Sequence, residues 1–237
     1  MTYKSNADGQ RGHVLDRSPA GAGMPEKGKM NHESELTRHS PPIVAILRGV
    51  EPGNVVGIGQ TLLDAGICIV EVPLNSPNAL QSIERLATSL RSSALVGAGT
   101  VLTTRSVDDI AAAGGKFVVA PNTDTSVIAR SLERGLEPMP GALTPTEALT
   151  AISAGARHLK VFPAGSVAST HIGALRDVIP SDCRIWAVGG VSAANLPAWI
   201  EAGAFGVGIG GSLYRPGRSL DDVRRRANEL VAAWRDI

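Results

Sequence analysis

Two charged side chains interrupt apolar runs of this 237-residue chain in a way that suggests carbonyl chemistry. Lys160 lies in "RHLKVFPAG" and Glu71 lies in "IVEVPLNSP". If both runs are buried strands, burial lowers the pKa of the lysine and leaves a neutral amine that can attack a carbonyl to form a Schiff base. A buried carboxylate could exchange the protons that this chemistry needs. The alternative is a structural ion pair between the two side chains, and both roles can coexist.

Candidate substrate-binding groups follow other apolar runs. Arg48, in "AILRG", is a cation that could hold a carboxylate through two hydrogen bonds. The turns "AVGGVSAAN" and "GIGGSLYR" leave backbone amides uncovered at four glycines: Gly189, Gly190, Gly210 and Gly211. These amides, together with a helix start expected after Ser192, could bind a phosphate. Glycine turns that bind no ligand are the alternative.

The elements that must position these residues are indicated by eight short apolar runs that alternate with Ala- and Leu-rich segments of helical period. The runs cover residues 42–47, 67–72, 94–99, 116–120, 136–140, 158–162, 184–190 and 205–211. Their regular recurrence predicts a (β/α)8 TIM barrel in the α/β class. The fifth run is the weakest, because Pro138 and Pro140 disfavour a regular ladder. An open Rossmann-type sheet is disfavoured, since no GxGxxG follows the first run.

Side chains alternate between the two faces of a strand, which predicts where the charged residues point. We expect Lys160 to face the barrel interior, because its neighbours Leu159 and Val161 suit the helix layer. Glu71 is expected to point inward in the same way. In such barrels the active site lies at the carboxyl ends of the strands. Helix-ending glycines precede five of the runs, and we expect helix N-caps at three residues: Ser106, Thr144 and Ser192.

Composition argues against several classes of protein. The chain has 23 Lys and Arg against 22 Asp and Glu, so a net charge of +1 gives no general attraction to nucleic acid or to anionic membranes. Only three Phe, two Tyr and three Trp occur, with no basic aromatic stripe, which also argues against nucleic-acid binding. The five histidines form no ligand cluster, so we expect no metal.

The ends and cysteines of the chain suggest a cytoplasmic protein with one folded domain. No apolar stretch approaches the roughly 18 residues of a spanning helix, and the first 40 residues lack a secretory signal. Cys68 and Cys183 have no metal-ligand spacing and are expected to be reduced core residues. Residues 1–40 have no periodic apolar pattern, so we expect a flexible tail before a barrel over residues 41–237.

The same segments resemble a known family. The motifs "ILRG", "IVEVPLNSP", "VGAGTV", "APN", "PGALTPTEA", "LKVFPA", "AVGGV" and "GIGGSLYR" occur in the order found in the bacterial 2-keto-3-deoxy-6-phosphogluconate and 6-phosphogalactonate aldolases. "EVPLNSP" and the arginine of "ILRG" are similar to the 6-phosphogalactonate branch, whereas Asn75 stands where the gluconate branch has an arginine. The resemblance implies a homotrimeric class I aldolase that needs no cofactor.

The resemblance also implies roles for individual residues. Lys160 would form the Schiff base with the keto acid, and Glu71 would move protons during carbon–carbon cleavage. Substrate binding would fall to Arg48, Thr100, Phe162, Pro163, Gly189, Gly190, Gly210, Gly211 and Ser212. Arg48 would take over the carboxylate-binding role of the arginine that is missing at Asn75.

The expected reaction is cleavage of 2-dehydro-3-deoxy-6-phosphogalactonate to pyruvate and D-glyceraldehyde 3-phosphate. The same chemistry on the gluconate epimer or on 4-hydroxy-2-oxoglutarate is an alternative, because epimers differ by only one or two hydrogen bonds. A phosphosugar isomerase or epimerase could use the same barrel and phosphate site without Lys160 as nucleophile. A ligand-binding barrel without catalysis is disfavoured by the joint presence of Lys160 and Glu71.

Overall fold

All eight apolar runs form strands in the computed structural model, which describes residues 34–237. The fifth run, residues 136–140, forms one strand, and a further two-residue strand follows it after Pro140, so nine strand segments arise within the described residues. They are β1 Ile43–Ile46, β2 Ile69–Pro73, β3 Leu95–Gly99, β4 Phe117–Val119, β5 Glu137–Met139, β6 Gly141–Ala142, β7 His158–Val161, β8 Arg184–Val188 and β9 Gly206–Ile209.

The strands form one parallel sheet that curves round to meet itself. Its order is β5-β4-β3-β2-β1-β9-β8-β7-β6. Its first and last segments, β5 and β6, adjoin along the chain at Pro140, whose carbonyl accepts a hydrogen bond of 2.9 Å from the Lys160 amide on β7. The ladder therefore closes, and the predicted (β/α)8 barrel is confirmed.

Helices follow the strands and cover the outside of the barrel. In residues 34–237 they are α1 Val55–Asp64, α2 Ala79–Leu90, α3 Thr104–Ala112, α4 Thr125–Glu133, α5 Pro145–Ser153, α6 Thr170–Arg176, α7 Leu196–Glu201 and α8 Leu220–Arg235. The helix-ending glycines are confirmed, because all five have the positive φ that ends a helix at low cost: Gly66, Gly114, Gly135, Gly155 and Gly203. None of these helices is long and apolar enough to cross a bilayer.

One of the three expected N-caps is confirmed and two are wrong. Thr144 caps α5 in a capping box with Glu147. The cap of α3 is Thr103, whose hydroxyl accepts from the Ser106 amide, so Ser106 lies inside the helix. Ser192 precedes α7 by a turn, and the residue at its N-cap is Asn195.

Alternation along the strands divides the core into two layers, as expected. The layer between strands and helices contains Leu159 and Val161, whereas the barrel interior contains Val44, Trp186 and Val188. Lys160 and Glu71 therefore point inward from strands whose other faces are anchored by burial against the helices.

A segment before β1 covers the amino-terminal end of the barrel. The expected flexible tail of residues 1–40 lies mostly outside the described residues, but for residues 34–40 the expectation is wrong. Leu36, in the 3-10 helix Glu35–Thr37, is fully buried and packs with the side chains of the barrel interior. Within the described residues, contacts with the barrel are therefore already made at Ser34, seven residues before the expected boundary.

A buried polar network completes that end of the barrel. The indole N–H of Trp186 donates to Nδ1 of His158 at 3.1 Å, and Nε2 of His158 lies 2.8 Å from the Ser34 hydroxyl. That hydroxyl in turn donates to Glu137. Because Nδ1 accepts a hydrogen bond, the proton of the neutral ring is on Nε2. His158 is therefore a core residue whose two ring nitrogens both have hydrogen-bond partners.

Candidate active site

A cavity of about 720 Å³ opens at the carboxyl ends of the strands. It is lined by residues of β1, β2, β7 and β8 and by residues of the segments that follow β1, β7, β8 and β9. Nine of the expected site residues line it: Arg48, Glu71, Lys160, Phe162, Gly189, Gly190, Gly210, Gly211 and Ser212. The other two do not line it. Pro163 follows Phe162 in the sequence, and the Thr100 hydroxyl accepts a hydrogen bond from Arg48. The strand ends therefore bring together groups that lie up to 164 residues apart in the sequence, from Arg48 to Ser212.

Lys160 reaches the cavity floor from β7. Its side chain is only 5% exposed, and Nζ lies 4.3 Å from the centre of the Phe162 ring two residues along the strand. The ring supplies a favourable surface for an ammonium or iminium ion while it excludes water. The lysine is thus held in one place without a direct hydrogen bond to a carboxylate.

Glu71 lies on β2 and is 2% exposed. Its carboxylate packs against the backbone of Gly99 on the neighbouring strand β3, where a Cβ atom would lie 2.6 Å from Oε1. Only glycine at position 99 leaves room for the carboxylate in this orientation. Gly99 on β3, which has no side chain, therefore leaves the space that the carboxylate of Glu71 occupies.

Burial shifts the pKa values of the two groups toward each other. Burial raises the pKa of Glu71 to about 7, although the charges of Lys160 and Arg48 act to lower it. Burial likewise lowers the pKa of Lys160, against the charge of Glu71, and the nearby Arg48 lowers it further. Opposite shifts of this kind make the neutral amine and the protonated acid accessible near neutral pH.

Arg48 follows β1 and forms a polar corner with residues from the next two strands. Its Nη1 donates to Oδ1 of Asn75 at 2.6 Å, and its Nη2 donates to the Thr100 hydroxyl at 3.4 Å. Thr100 has a φ of 58°, a left-handed conformation that is costly for a β-branched residue. This strained backbone turns the hydroxyl toward the guanidinium, which makes Thr100 part of the corner although it does not line the cavity.

The glycine-rich turns after β8 and β9 form the opposite wall. The amides of Gly190, Gly211 and Ser212 have no protein acceptor in residues 34–237. The Ser212 hydroxyl donates to the Val191 carbonyl at 3.0 Å and joins the two turns. The turn at Gly190 packs tightly, since a Cβ there would lie 3.0 Å from the Cα of Gly165. Unpaired amides on a concave surface are suited to bind an anion.

The expected contribution of a helix start after Ser192 is corrected by the structure. The amide of Ser192 donates to Oδ1 of Asn195 at 2.8 Å, and the six-residue α7 starts only at Leu196. The anion-binding character of this wall therefore comes from the glycine turns themselves.

Several cavity residues were not identified from the sequence. Ile46 and Val188 supply apolar floor, and Tyr214 and Arg215 line the wall beyond the second glycine turn. Asn75 was noted only for the arginine that it replaces. The motif "GIGGSLYR" places Arg215 only four residues after Gly211, and this short spacing lets its side chain fold back toward the glycine turn.

In residues 34–237 no three His, Cys, Asp or Glu side chains are grouped so that they could hold a metal ion. What the arrangement offers is an amine, a proton-transferring acid, a cationic corner and an amide-rich wall. With these groups the protein can bind a carbonyl compound that carries negative charge at both ends, and the amine can form an imine with it.

Comparison with known proteins agrees with this chemistry. The family described as KDPG and KHG aldolase matches residues 34–225. A protein of Escherichia coli (strain K12) named 2-dehydro-3-deoxy-6-phosphogalactonate aldolase is 43% identical over 195 residues, which cover 82% of this chain and 95% of that protein. One of Rhizobium meliloti (strain 1021), named "Probable 2-dehydro-3-deoxy-6-phosphogalactonate aldolase", is 45% identical over 193 residues, covering 81% and 91%.

A solved structure titled "Native KDPGal structure" superimposes with a TM-score of 0.82 at 43% identity, over 83% of this chain and 96% of the other. The chain belongs to the family of KDPG and KHG aldolases. It is a carbon–carbon lyase with the fold of that family, and both the resemblance and the enzyme class expected from the sequence are confirmed.

Proposed function

We propose that the protein cleaves 2-dehydro-3-deoxy-6-phosphogalactonate to pyruvate and D-glyceraldehyde 3-phosphate through a Schiff base on Lys160. One observation carries the proposal: a buried lysine and a buried glutamate face the same cavity, and burial shifts their pKa values in opposite directions. The choice of the galactonate compound is supported by the names of the relatives at 43% and 45% identity.

The reaction begins at the amine of Lys160. The neutral amine adds to the C2 carbonyl of the substrate, and the carbinolamine takes one proton from the carboxyl of Glu71 and loses water to give an iminium ion. The lowered pKa of Lys160 favours the neutral amine that reacts. The Phe162 ring beside Nζ stabilises the positive charge that the iminium retains.

Glu71 then serves as base and as acid. Its carboxylate removes the proton of the C4 hydroxyl, directly or through a water, and the C3–C4 bond breaks as its electron pair moves toward the iminium. The aldehyde leaves, and protonated Glu71 returns the proton to C3 of the enamine. Hydrolysis of the iminium then releases pyruvate and the free amine. A pKa of about 7 suits a group that must accept and donate in one cycle.

The two ends of the cavity account for the two charged ends of the substrate. Arg48, held by Asn75 and Thr100, is placed to bind the carboxylate of the keto acid. The unpaired amides of the glycine turns are placed to bind the phosphate. Phe162 and Pro163 would border the reacting carbons. No cofactor enters any step.

The protein is further proposed to act as a cytoplasmic homotrimer. Exposed leucines at the starts of α2 and α3, Leu80 and Leu102, support association, because they leave apolar surface uncovered beside the cavity mouth. Cys183 is a buried core residue as expected, whereas Cys68 is only partly buried, and both thiols are free. Light scattering at micromolar concentration tests the trimer directly.

The reaction is tested by measuring pyruvate release from each phosphorylated epimer and by trapping the imine. Incubation with pyruvate and borohydride should add one reduced pyruvyl group to Lys160 and none to the exposed Lys116. Lys160→Met should abolish both signals, whereas Lys116→Met should leave them unchanged. Retained turnover in the Lys160 variant would refute the mechanism, and release from the gluconate compound alone would transfer the assignment to that epimer.

A further inference from the structure

Three arginines approach the glycine turn after β9, but only one of them remains available to a ligand. Arg215 Nε donates to the Gly211 carbonyl at 3.0 Å. Arg218 donates to the carbonyls of Gly211 and Ser212, and Arg226 donates to that of Ser212 at 3.1 Å. These bonds turn the carbonyls of the turn toward the arginines, away from the wall where the amides of the same residues are unpaired.

Two of these arginines share one carboxylate partner. Asp222, on the first turn of α8, lies 2.9 Å from Nε of Arg218 and 3.0 Å from Nε of Arg226. Neither arginine lines the cavity. Arg218 and Arg226 therefore hold the turn in position from outside the cavity and do not line the surface that a ligand would contact.

Arg215 differs in both respects. It is exposed and lines the cavity, and no carboxylate of the part of the chain that the structure describes forms an ion pair with it. Its guanidinium lies across the backbone of Gly211, since a Cβ at that position would lie 3.2 Å from Nε. With Nε used by the Gly211 carbonyl, both terminal nitrogens retain their donors for a ligand.

The charges expected of the substrate require a cation at this wall. Of the cavity-lining residues, only Arg48, Lys160 and Arg215 are cationic. Arg48 belongs to the corner with Asn75, and Lys160 becomes the iminium, so neither is free for a phosphate at the glycine turns. A phosphate ester carries about −1.5 to −2 charge at neutral pH, which backbone amides alone balance only in part.

We propose that Arg215 binds the phosphate of the substrate and thereby determines the preference for phosphorylated over unphosphorylated keto acids. The inference rests on the proposed aldolase function and deepens it by assigning a specificity residue. Glycine at position 211 has a second role in this arrangement, because it lets the guanidinium lie close to the amides that bind the same phosphate.

The test compares Arg215→Gln, Arg215→Lys and the control Arg235→Gln, at an exposed arginine near the end of α8. Cleavage of the 6-phosphorylated substrate and of its unphosphorylated analogue is measured for each. For Arg215→Gln we expect kcat/KM to fall about 10- to 100-fold on the phosphorylated substrate, mainly through KM, and to stay unchanged on the analogue. Arg215→Lys should recover part of the loss, and Arg235→Gln should match the wild type.

An equal loss on both substrates, or no loss on either, would overturn the assignment. Binding of inorganic phosphate, measured by calorimetry, provides a readout that does not depend on turnover. If Arg215→Gln binds phosphate more weakly than the wild type and Arg235→Gln do, the phosphate site is supported even if neither epimer is cleaved. In that case only the proposed reaction is refuted. Equal phosphate binding by all three proteins refutes the role of Arg215 while pyruvate release and imine trapping continue to decide the reaction.

Discussion

Replacing Glu71 by glutamine is predicted to stabilise the protein while it removes activity. Burial raises the pKa of this carboxyl from 4.5 to about 7, so at pH 8 the folded protein must hold a charge that burial disfavours. The difference corresponds to about 3 kcal/mol in the free energy of unfolding. Glutamine has the same shape and no charge, so Glu71→Gln should be about 3 kcal/mol more stable than the wild type at pH 8.

The sign of the pH dependence follows from the direction of this shift. Between pH 4.5 and about 7 the unfolded chain has lost the proton of Glu71 whereas the folded chain retains it. The stability of the wild type therefore falls through this window as pH rises, relative to a variant that cannot titrate. The advantage of Glu71→Gln should shrink to under about 1 kcal/mol at pH 5 and almost vanish at pH 4.

Urea unfolding of both proteins at pH 4, 6 and 8 measures the effect, with the exposed Glu84→Gln as a matched control that should show no such trend. The gain should be larger in a Lys160→Met background, because the charge of Lys160 lowers the pKa of Glu71. A difference between wild type and Glu71→Gln that is independent of pH, or a less stable variant at pH 8, would refute the reasoning.

Three further predictions concern activity and the closed end of the barrel. Turnover should rise with pH through about 7, because Glu71 must be ionised to accept the C4 proton, and a flat profile between pH 5.5 and 8.5 would contradict that role. Gly99→Ala should lower kcat about 100-fold by displacing the carboxylate, whereas Gly53→Ala, which has nothing within 4 Å of the added methyl, should be neutral in the same assay. Leu36→Ala should cost about 2–4 kcal/mol in urea unfolding and leave kcat unchanged, while loss of less than 1 kcal/mol would show that the segment does not close the barrel.

The barrel and its two reactive side chains could be predicted because the signals for them are local and repeated. Apolar runs of β-branched residues mark each strand, and alternation along a strand decides which side chains face the interior. Lys160 and Glu71 are conspicuous since each is charged at an inward position of such a run. The glycine turns were identified for the same reason, because two successive glycines at a strand end can adopt turn conformations that other residues rarely can.

The features that sequence reasoning missed depend on contacts between distant segments. Ser106 fits an N-cap pattern as well as Thr103 does. Which of them caps the helix depends on the packing of the buried Val107 and Ile110, which sets where α3 starts. Leu36 is an isolated apolar residue in a polar stretch, so nothing nearby in sequence reveals that it fills the barrel end. The availability of Arg215 is visible only once Arg218 and Arg226 are seen to pair with Asp222 outside the cavity.

Two charged regions in and beside the cavity illustrate opposite uses of burial and pairing. Beside it, Arg218 and Arg226 share the carboxylate of Asp222 and donate to the Ser212 carbonyl, so they hold the glycine turn in place. On the floor, Lys160 and Glu71 interact through space without a hydrogen bond between them, and burial leaves both charged forms unfavourable. A direct ion pair there would stabilise both charges and remove the free amine. The separation of the two groups thus costs stability, and it is the condition under which the amine can react and the acid can transfer protons.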